Sequence, residues 1–423
     1  MAHEIIVEKP RLRYFRIRNY RSCQYTELTP REGLSALIGK NSSGKTNLLN
    51  AVLLLKRIGE AQLHGHQPYE RDLTPIFITT HVSLPNGALV KYRARVFCST
   101  DESNRDDVRR VDEHWLIAES KSRSSWQALP PQLVHLMTHS IRDRIAHGDW
   151  ERFDNLERRY LIRHLKITPK VILDIDKVKT YFGSMKYYSA SQFTNPSSCP
   201  IHFEIDGEGK LQYPHKHRSP HDRLAYDIFR LGKTNPIAYE RFMSTIGKEG
   251  IGLVDSIQFP QQSLPSSSLE VRTGAKVVKK KSQKRIVIPQ FRIHGTTLST
   301  NQLSEGTLKA LGLTFYLMTD DSPLLLLEEP EVCVHHGLLK SIMEIIKTYS
   351  TRKQIIITTH SDYLLNQLDP EAVFIVRHEK RKGTIAKSVP DSMSRNSYAA
   401  LKDYLAEEGG LGNFWKHGAL GND

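Results

Sequence analysis

The octapeptide Gly39-Lys40-Asn41-Ser42-Ser43-Gly44-Lys45-Thr46 constrains this chain more than any other feature. It lies between the apolar run Leu34–Ile38 and the helical pattern NLLNAVLLLKRI. GxxxxGK[ST] in a strand–loop–helix setting is a phosphate-binding loop. Gly39 and Gly44 let backbone N–H groups close round an anion, and the positive N-terminus of the following helix adds to them. Lys45 is expected at the β/γ-phosphates of ATP and the Thr46 hydroxyl on Mg²⁺, with Lys40, Asn41, Ser42 and Ser43 completing the cradle.

The last third of the chain supplies the sheet in which such a loop works. Strands Arg285–His294, Leu324–Leu327, Gln354–Thr358 and Ala372–Arg377 alternate with helices Thr307–Met318, His336–Thr348 and Tyr363–Leu368. That alternation implies βαβ units and a parallel sheet, and the unbroken runs LLLL and IIIT suit strands covered on both faces. Ligands of open α/β sheets gather beyond the carboxyl ends of the strands. The first run ends in Glu328-Glu329-Pro330-Glu331, so Glu328 is expected to contact the metal and Glu329 to act as general base on the attacking water. Glu328 is one methylene longer than the aspartate more usual there. The second run ends in Thr359-His360-Ser361, which puts His360 in position to sense the γ-phosphate. Leu303-Ser304-Glu305-Gly306-Thr307 opens the helix before the acidic strand. Two readings stand: a plain capped helix, or an anion site presented to a second molecule.

In this order the pieces resemble the ABC-type ATPase head. Gly39–Thr46 is similar to its Walker A motif, Leu303–Thr307 to its signature, Glu328-Glu329 to its Walker B and catalytic glutamate, and His360 to its switch histidine. Val332–His335 falls where the D-loop would, and Gln192, read at the end of a strand MKYYSAS, is the candidate Q-loop glutamine. The resemblance implies a head-to-tail homodimer, or higher oligomer, with ATP held between Walker A of one subunit and Ser304 and Gly306 of the other. RYFRIRNYRS followed by LSALIGKNSSGKTNLLNAV is similar to the RecF, SMC and OLD branch. LSEGTLKALGLTF, LLLLEEPEVCVHH and IIITTHSDYLL resemble stand-alone OLD-like ATPases of bacterial antiphage defence. The fold expected is therefore α/β: an ABC-type P-loop head with a β-rich first lobe, a parallel-sheet core and a helical insertion.

The expected boundaries are 1–128 for the first lobe, 129–260 for a mainly helical insertion and 261–423 for the second lobe. More than half the chain separates Thr46 from Ser304, too much for a compact transporter ATPase. Ser263–Ser268 reads as a boundary loop. OLD nucleases are expected to continue into a Toprim domain, but 361–423 holds no DxD, and no HNH or PD-(D/E)xK pattern occurs elsewhere.

Charge bears on partners. Sixty Lys+Arg against forty-six Asp+Glu give a net +14, which favours a polyanion such as DNA. Basic residues cluster at Lys276, Lys279, Lys280, Lys281, Lys284 and Arg285, in a short run Lys380-Arg381-Lys382, and in the insertion at Arg142, Arg144, Arg152, Arg158, Arg159 and Arg163, among Trp150 and Tyr160. Such runs either solvate a surface or contact phosphate backbone. No apolar stretch approaches the ~20 residues of a bilayer span, the N-terminus carries charge where a signal peptide needs an apolar run, and four scattered cysteines form no CxxC pair. No membrane partner is expected, and the setting expected is the cytoplasm. The leading expectation is an ATP-hydrolysing, DNA-sensing subunit of an antiphage complex that controls a separately encoded effector nuclease. The alternative is a RecF/SMC-like clamp for repair or recombination.

Overall fold

The structure is a computed structural model that describes residues 8–60, 74–100, 106–118, 126–128, 169–193, 195–212, 220–272, 276–332, 334–407 and 409–417. In chain order the first elements are β1 (Arg11–Tyr20), β2 (Cys23–Leu28), β3 (Leu34–Ile38), α1 (Lys45–Glu60), β4 (Ile76–Ser83), β5 (Leu89–Thr100), β6 (Asp106–Ala118), β7 (Gln127–Ala128), α2 (Pro169–Gly183) and β8 (Lys186–Ser189). There follow β9 (Phe203–Ile205), α3 (Pro220–Thr234), α4 (Pro236–Ile246), β10 (Ser256–Gln258), β11 (Gln261–Arg272), β12 (Lys276–Val287), β13 (Gln290–Ile293), β14 (Thr296–Leu298) and α5 (Glu305–Thr319). The chain returns to the core through β15 (Leu324–Glu328), α6 (His336–Ser350), β16 (Gln354–Thr359), β17 (Val373–Glu379) and β18 (Gly383–Ser388).

Two compact units result: 1–187 with 321–329 and 350–423, and 188–320 with 330–349. In the first unit, an antiparallel sheet of order β2-β1-β4-β5-β6-β7 accompanies a mainly parallel one of order β18-β17-β3-β16-β15-β8. The β17–β3, β3–β16 and β16–β15 pairs are parallel. The expected α/β class is therefore present, with a β-rich first lobe and a mainly parallel-sheet core. Helix α1 forms because NLLNAVLLLKRI places apolar side chains on most of its circumference, and Leu48, Leu49, Val52, Leu54 and Leu55 are all buried. They share one core with Phe15, Ile17, Val90 and Trp115 of the antiparallel sheet, Ile172 and Phe182 of α2, and Leu326 and Ile356 of the parallel sheet. Burying each such side chain stabilises by roughly 1.5–3 kcal/mol, which fixes the root of α1 against both sheets. A fully buried Gln354 joins the sheets at their base. It donates to the carbonyls of Leu12 and Arg31 (2.9 and 2.6 Å) and accepts from Leu12 N–H.

The second unit holds α3, α4 and α5 with two small sheets, β10-β13-β14 and β11-β12-β9. Here the structure corrects the sequence reading. Ser263–Ser268 is not a loop but part of β11, paired antiparallel with β12 from Gln261↔Val287 to Arg272↔Lys276. Serine and lysine are weak strand formers, and the unbroken ladder overrides their propensity. The expected strand Arg285–His294 is divided into the end of β12 and the separate β13. Gln192 does not end a strand. β8 stops at Ser189, whose N–H donates to the Gln192 Oε1 atom (3.4 Å), and Gln192 sits in a 3₁₀ turn, Ala190–Phe193. Of the expected insertion, α2, α3 and α4 are helical. The basic and aromatic positions Arg142, Arg144, Trp150, Arg152, Arg158, Arg159, Tyr160 and Arg163 lie outside the described residues.

Candidate nucleotide site

The loop from Gly39 to Thr46 leaves β3 in the middle of the parallel sheet and turns into α1 at Lys45. Both glycines are sterically required. A Cβ on Gly39 would meet the Val376 carbonyl at 2.2 Å, and one on Gly44, whose φ is +99°, would meet Thr384 Oγ1 at 2.0 Å. Thr384 and Ser22 brace the loop from beneath. The Thr384 hydroxyl bonds the Ser43 carbonyl (3.2 Å) and Ser22 Oγ (2.8 Å), and Asn47 donates to the same Ser22 oxygen (2.7 Å). Sequence reading missed both braces, because a serine in a hairpin turn and a threonine in an edge strand carry no motif.

Lys45 is buried, and its ammonium donates to the loop's own carbonyls, Gly39 at 2.9 Å and Lys40 at 3.1 Å. It is thus held inside the curve of the loop, where an anion would approach. The Thr46 hydroxyl donates to Glu328 Oε1 at 2.5 Å, across 282 positions of sequence. Glu328 is the last residue of β15, and its other oxygen accepts from the Tyr187 hydroxyl of β8. Glu329 follows with φ of +47°, a left-handed conformation that costs a non-glycine residue free energy and recurs at functional sites. Its N–H is tied to β16 through the Thr358 carbonyl (3.0 Å) and hydroxyl (3.2 Å), which hold the strained turn. Its carboxylate lies 3.4 Å from the His360 Nε2 atom.

An open cleft of about 470 Å³ is lined by Asn41, Ser42, Gly44, Lys45, Thr46, Asn47, Glu329 and His360. Partial burial first, and then the Lys45 charge, hold the His360 imidazole below its ordinary pKa, with Glu329 pulling the other way. His360 is therefore neutral at pH 7 and can donate one hydrogen bond while accepting another. The structure thus brings together Lys45, Thr46, Glu328, Glu329 and His360, with the loop residues Gly39, Lys40, Asn41, Ser42, Ser43 and Gly44. Gln192, Ser304 and Gly306 belong to the second unit. There Ser304 is the exposed N-cap of α5, its hydroxyl accepting from Thr307 N–H at 3.1 Å.

The Thr46 and Glu328 oxygens are hard donors that suit Mg²⁺. Among the described residues no group of three or more His, Cys, Asp or Glu could hold a metal by itself.

Comparison with known proteins adds the following. The model of a family described as "AAA domain, putative AbiEii toxin, Type IV TA system" matches residues 226–366, a stretch that includes α5, Glu328, Glu329 and His360 but not the glycine loop. The chain is 28% identical over 140 residues to the DNA replication and repair protein RecF of Shewanella oneidensis, covering 32% of this chain and 37% of RecF. RecF of Shewanella sp. (strain MR-4) matches over the same shares. The chain thus spans little more than a third of the length of these relatives. Among solved structures, the SMC head domain from Thermotoga maritima is 12% identical, with 89% of this chain and 98% of that chain covered and a TM-score of 0.43. An SmcHead bound to the C-winged helix domain of ScpA is 14% identical over 90% and 100%, with a TM-score of 0.44.

Proposed function

We propose that the chain binds and hydrolyses ATP as one of a pair of heads, and that its nucleotide state governs its hold on DNA. The observation that carries the ATPase reading is the convergence of Lys45, Thr46, Glu329 and His360 from three parallel strand ends on one cleft, with Glu328 bonded to Thr46. Backbone N–H groups of the glycine loop and the α1 N-terminus hold the phosphates, and Lys45 exchanges its loop carbonyls for phosphate oxygens. Mg²⁺, when bound, offsets charge on the β- and γ-phosphates, with Thr46 and Glu328 as its protein ligands. Glu329 orients a water and takes its proton as the oxygen attacks the γ-phosphorus, while the bond to the β–γ bridging oxygen breaks and ADP leaves. His360, 3.4 Å from the Glu329 carboxylate, donates its single N–H to the γ-phosphate.

The second head is another copy of this chain. Ser304 and Gly306 are the residues it would offer to the nucleotide, with Gln192 the candidate link to the attacking water. Net positive charge and the RecF likeness support DNA as the polyanion. Within this reading the protein acts in the cytoplasm as the regulatory ATPase of an antiphage complex, controlling a separately encoded effector nuclease. A second reading, a RecF/SMC-like clamp for repair or recombination, is favoured by the same RecF likeness. Mass spectrometry of the complex pulled down from its host separates them: a nuclease in stoichiometric amount supports the first, replication or recombination proteins the second. The ATPase reading is tested by Lys45→Ala, for which turnover is expected to fall at least 10²-fold. Wild-type turnover in that variant would refute it.

A further inference from the structure

We infer that Tyr187 is a positioning residue for the metal-binding carboxylate. This inference rests on the ATPase reading of the site and extends it to a residue that no motif marks. Glu328 is held at both oxygens by hydroxyls from different elements: Thr46 of α1 donates to Oε1, and Tyr187 of β8 donates to Oε2. The two strands concerned are neighbours, since β8 closes the parallel sheet beside β15. Both side chains are half-buried, so the bond is sheltered from competing water.

The length of Glu328 makes such a tether useful. Compared with aspartate it has one more rotatable bond, and a long carboxylate fixed in one rotamer forfeits more side-chain entropy. Without a second anchor, its carboxylate can turn away from Thr46 when the metal is absent. A phenol is well suited to prevent this. Its ring has only two side-chain torsions, and a hydroxyl donating to an ionised carboxylate makes a charge-assisted bond, stronger than a neutral one. Tyr187 occupies Oε2 and leaves Oε1 beside Thr46, the hydroxyl expected on Mg²⁺. The strand end is thereby organised before nucleotide and metal arrive.

The test is a double-mutant cycle of Tyr187→Phe and Glu328→Asp in the full chain, read by binding of a fluorescent ATP analogue during Mg²⁺ titration and in EDTA. Tyr187→Phe is expected to raise the half-saturating Mg²⁺ concentration about tenfold while leaving metal-free nucleotide affinity within twofold. In the Glu328→Asp background the same change is expected to shift that concentration less than twofold, because the shorter carboxylate does not reach the phenol. An unchanged Mg²⁺ midpoint in Tyr187→Phe would overturn the inference, as would an equal shift in both backgrounds, which would mark Tyr187 as a general support of the fold. Thermal melting of each variant checks that the fold persists. If the wild type bound the analogue no better than Lys45→Ala, the ATPase reading would fall and this inference with it. Lys45-dependent binding with an unmoved Mg²⁺ midpoint would remove Tyr187 alone.

Discussion

The nucleotide cleft of the first unit and the start of α5 in the second are built on opposite principles. In the cleft, reactive side chains are held from elsewhere in the sequence: Thr46 by Glu328, Glu328 by Tyr187, and Glu329 by β16 through its own backbone. At the start of α5, the Ser304 side chain caps its own helix, bonding Thr307 three residues ahead. The first arrangement is organised by one chain and needs only its ligands. The second is a helix N-terminus, polar and exposed, that gains a role only if another molecule meets it. On the ATPase reading proposed above, chemistry is prepared within a single head and licensed by a second.

The largest effect should come from the cleft. Glu329→Gln keeps the shape of the side chain but removes its basicity, and turnover is expected to fall roughly 10²–10⁴-fold, the range of general-base contributions, with ATP binding retained. A steady-state ATPase assay beside an equilibrium binding titration checks both halves. The same variant has a second readout. Because the Glu329 charge raises the His360 pKa against burial and Lys45, its removal should lower that pKa further. His360 would then stay neutral to still lower pH, visible as a downfield-to-upfield transition at lower pH in an NMR titration of the ring. A rise instead would mean that the two side chains do not interact as their 3.4 Å separation indicates.

A smaller effect is expected at Ser304, where two roles can be separated. Ser304→Ala removes a helix cap, which costs roughly 0.5–2 kcal/mol of stability, whereas Asn is an equally good cap. If the cap is all that matters, Ser304→Asn restores both melting temperature and turnover. If Ser304 also meets nucleotide across a dimer, Asn restores the melting temperature and leaves turnover about tenfold low. The second pattern is expected. Full recovery of turnover would reduce this position to a cap and erase its contrast with the cleft.

What the sequence made legible follows the same division. Gly39, Gly44 and Lys45 stand out because no other residue type satisfies the sterics or the charge of that loop. Glu328, Glu329 and His360 stand out because each comes at the end of a continuously apolar run, where ligands of such sheets gather. Tyr187, Ser22 and Thr384 were invisible: each is an ordinary residue for its element, and its role comes from a partner brought close only by the sheet order. The left-handed backbone at Glu329 is likewise a product of the turn between β15 and the loop that follows, with no glycine to announce it. Ser263–Ser268 misled because local propensity was read without its partner strand, and β12 supplied the ladder.

That partner strand carries the smallest expected effect on turnover and the largest on a different property. β11 and β12 form a ribbon of twelve residues a side, about 40 Å long at the usual rise per residue. Its register sets Lys279, Lys280 and Lys281 opposite Leu269, Ser268 and Ser267. The run Lys279-Lys280-Lys281 thus falls within the paired length of the ribbon. A two-stranded ribbon has the dimensions of the DNA major groove, and such charge would lie against phosphates rather than read bases. Replacing the three lysines by glutamine should leave DNA-free ATP turnover within twofold and lower the slope of log affinity against log salt for duplex DNA by about 2.7, at roughly 0.9 per phosphate contact. An unchanged slope would assign the charge to solvation of the ribbon. Loss of turnover together with binding would show that the ribbon supports the fold, and the separation between a prepared catalytic cleft and outlying contact surfaces would have to be abandoned.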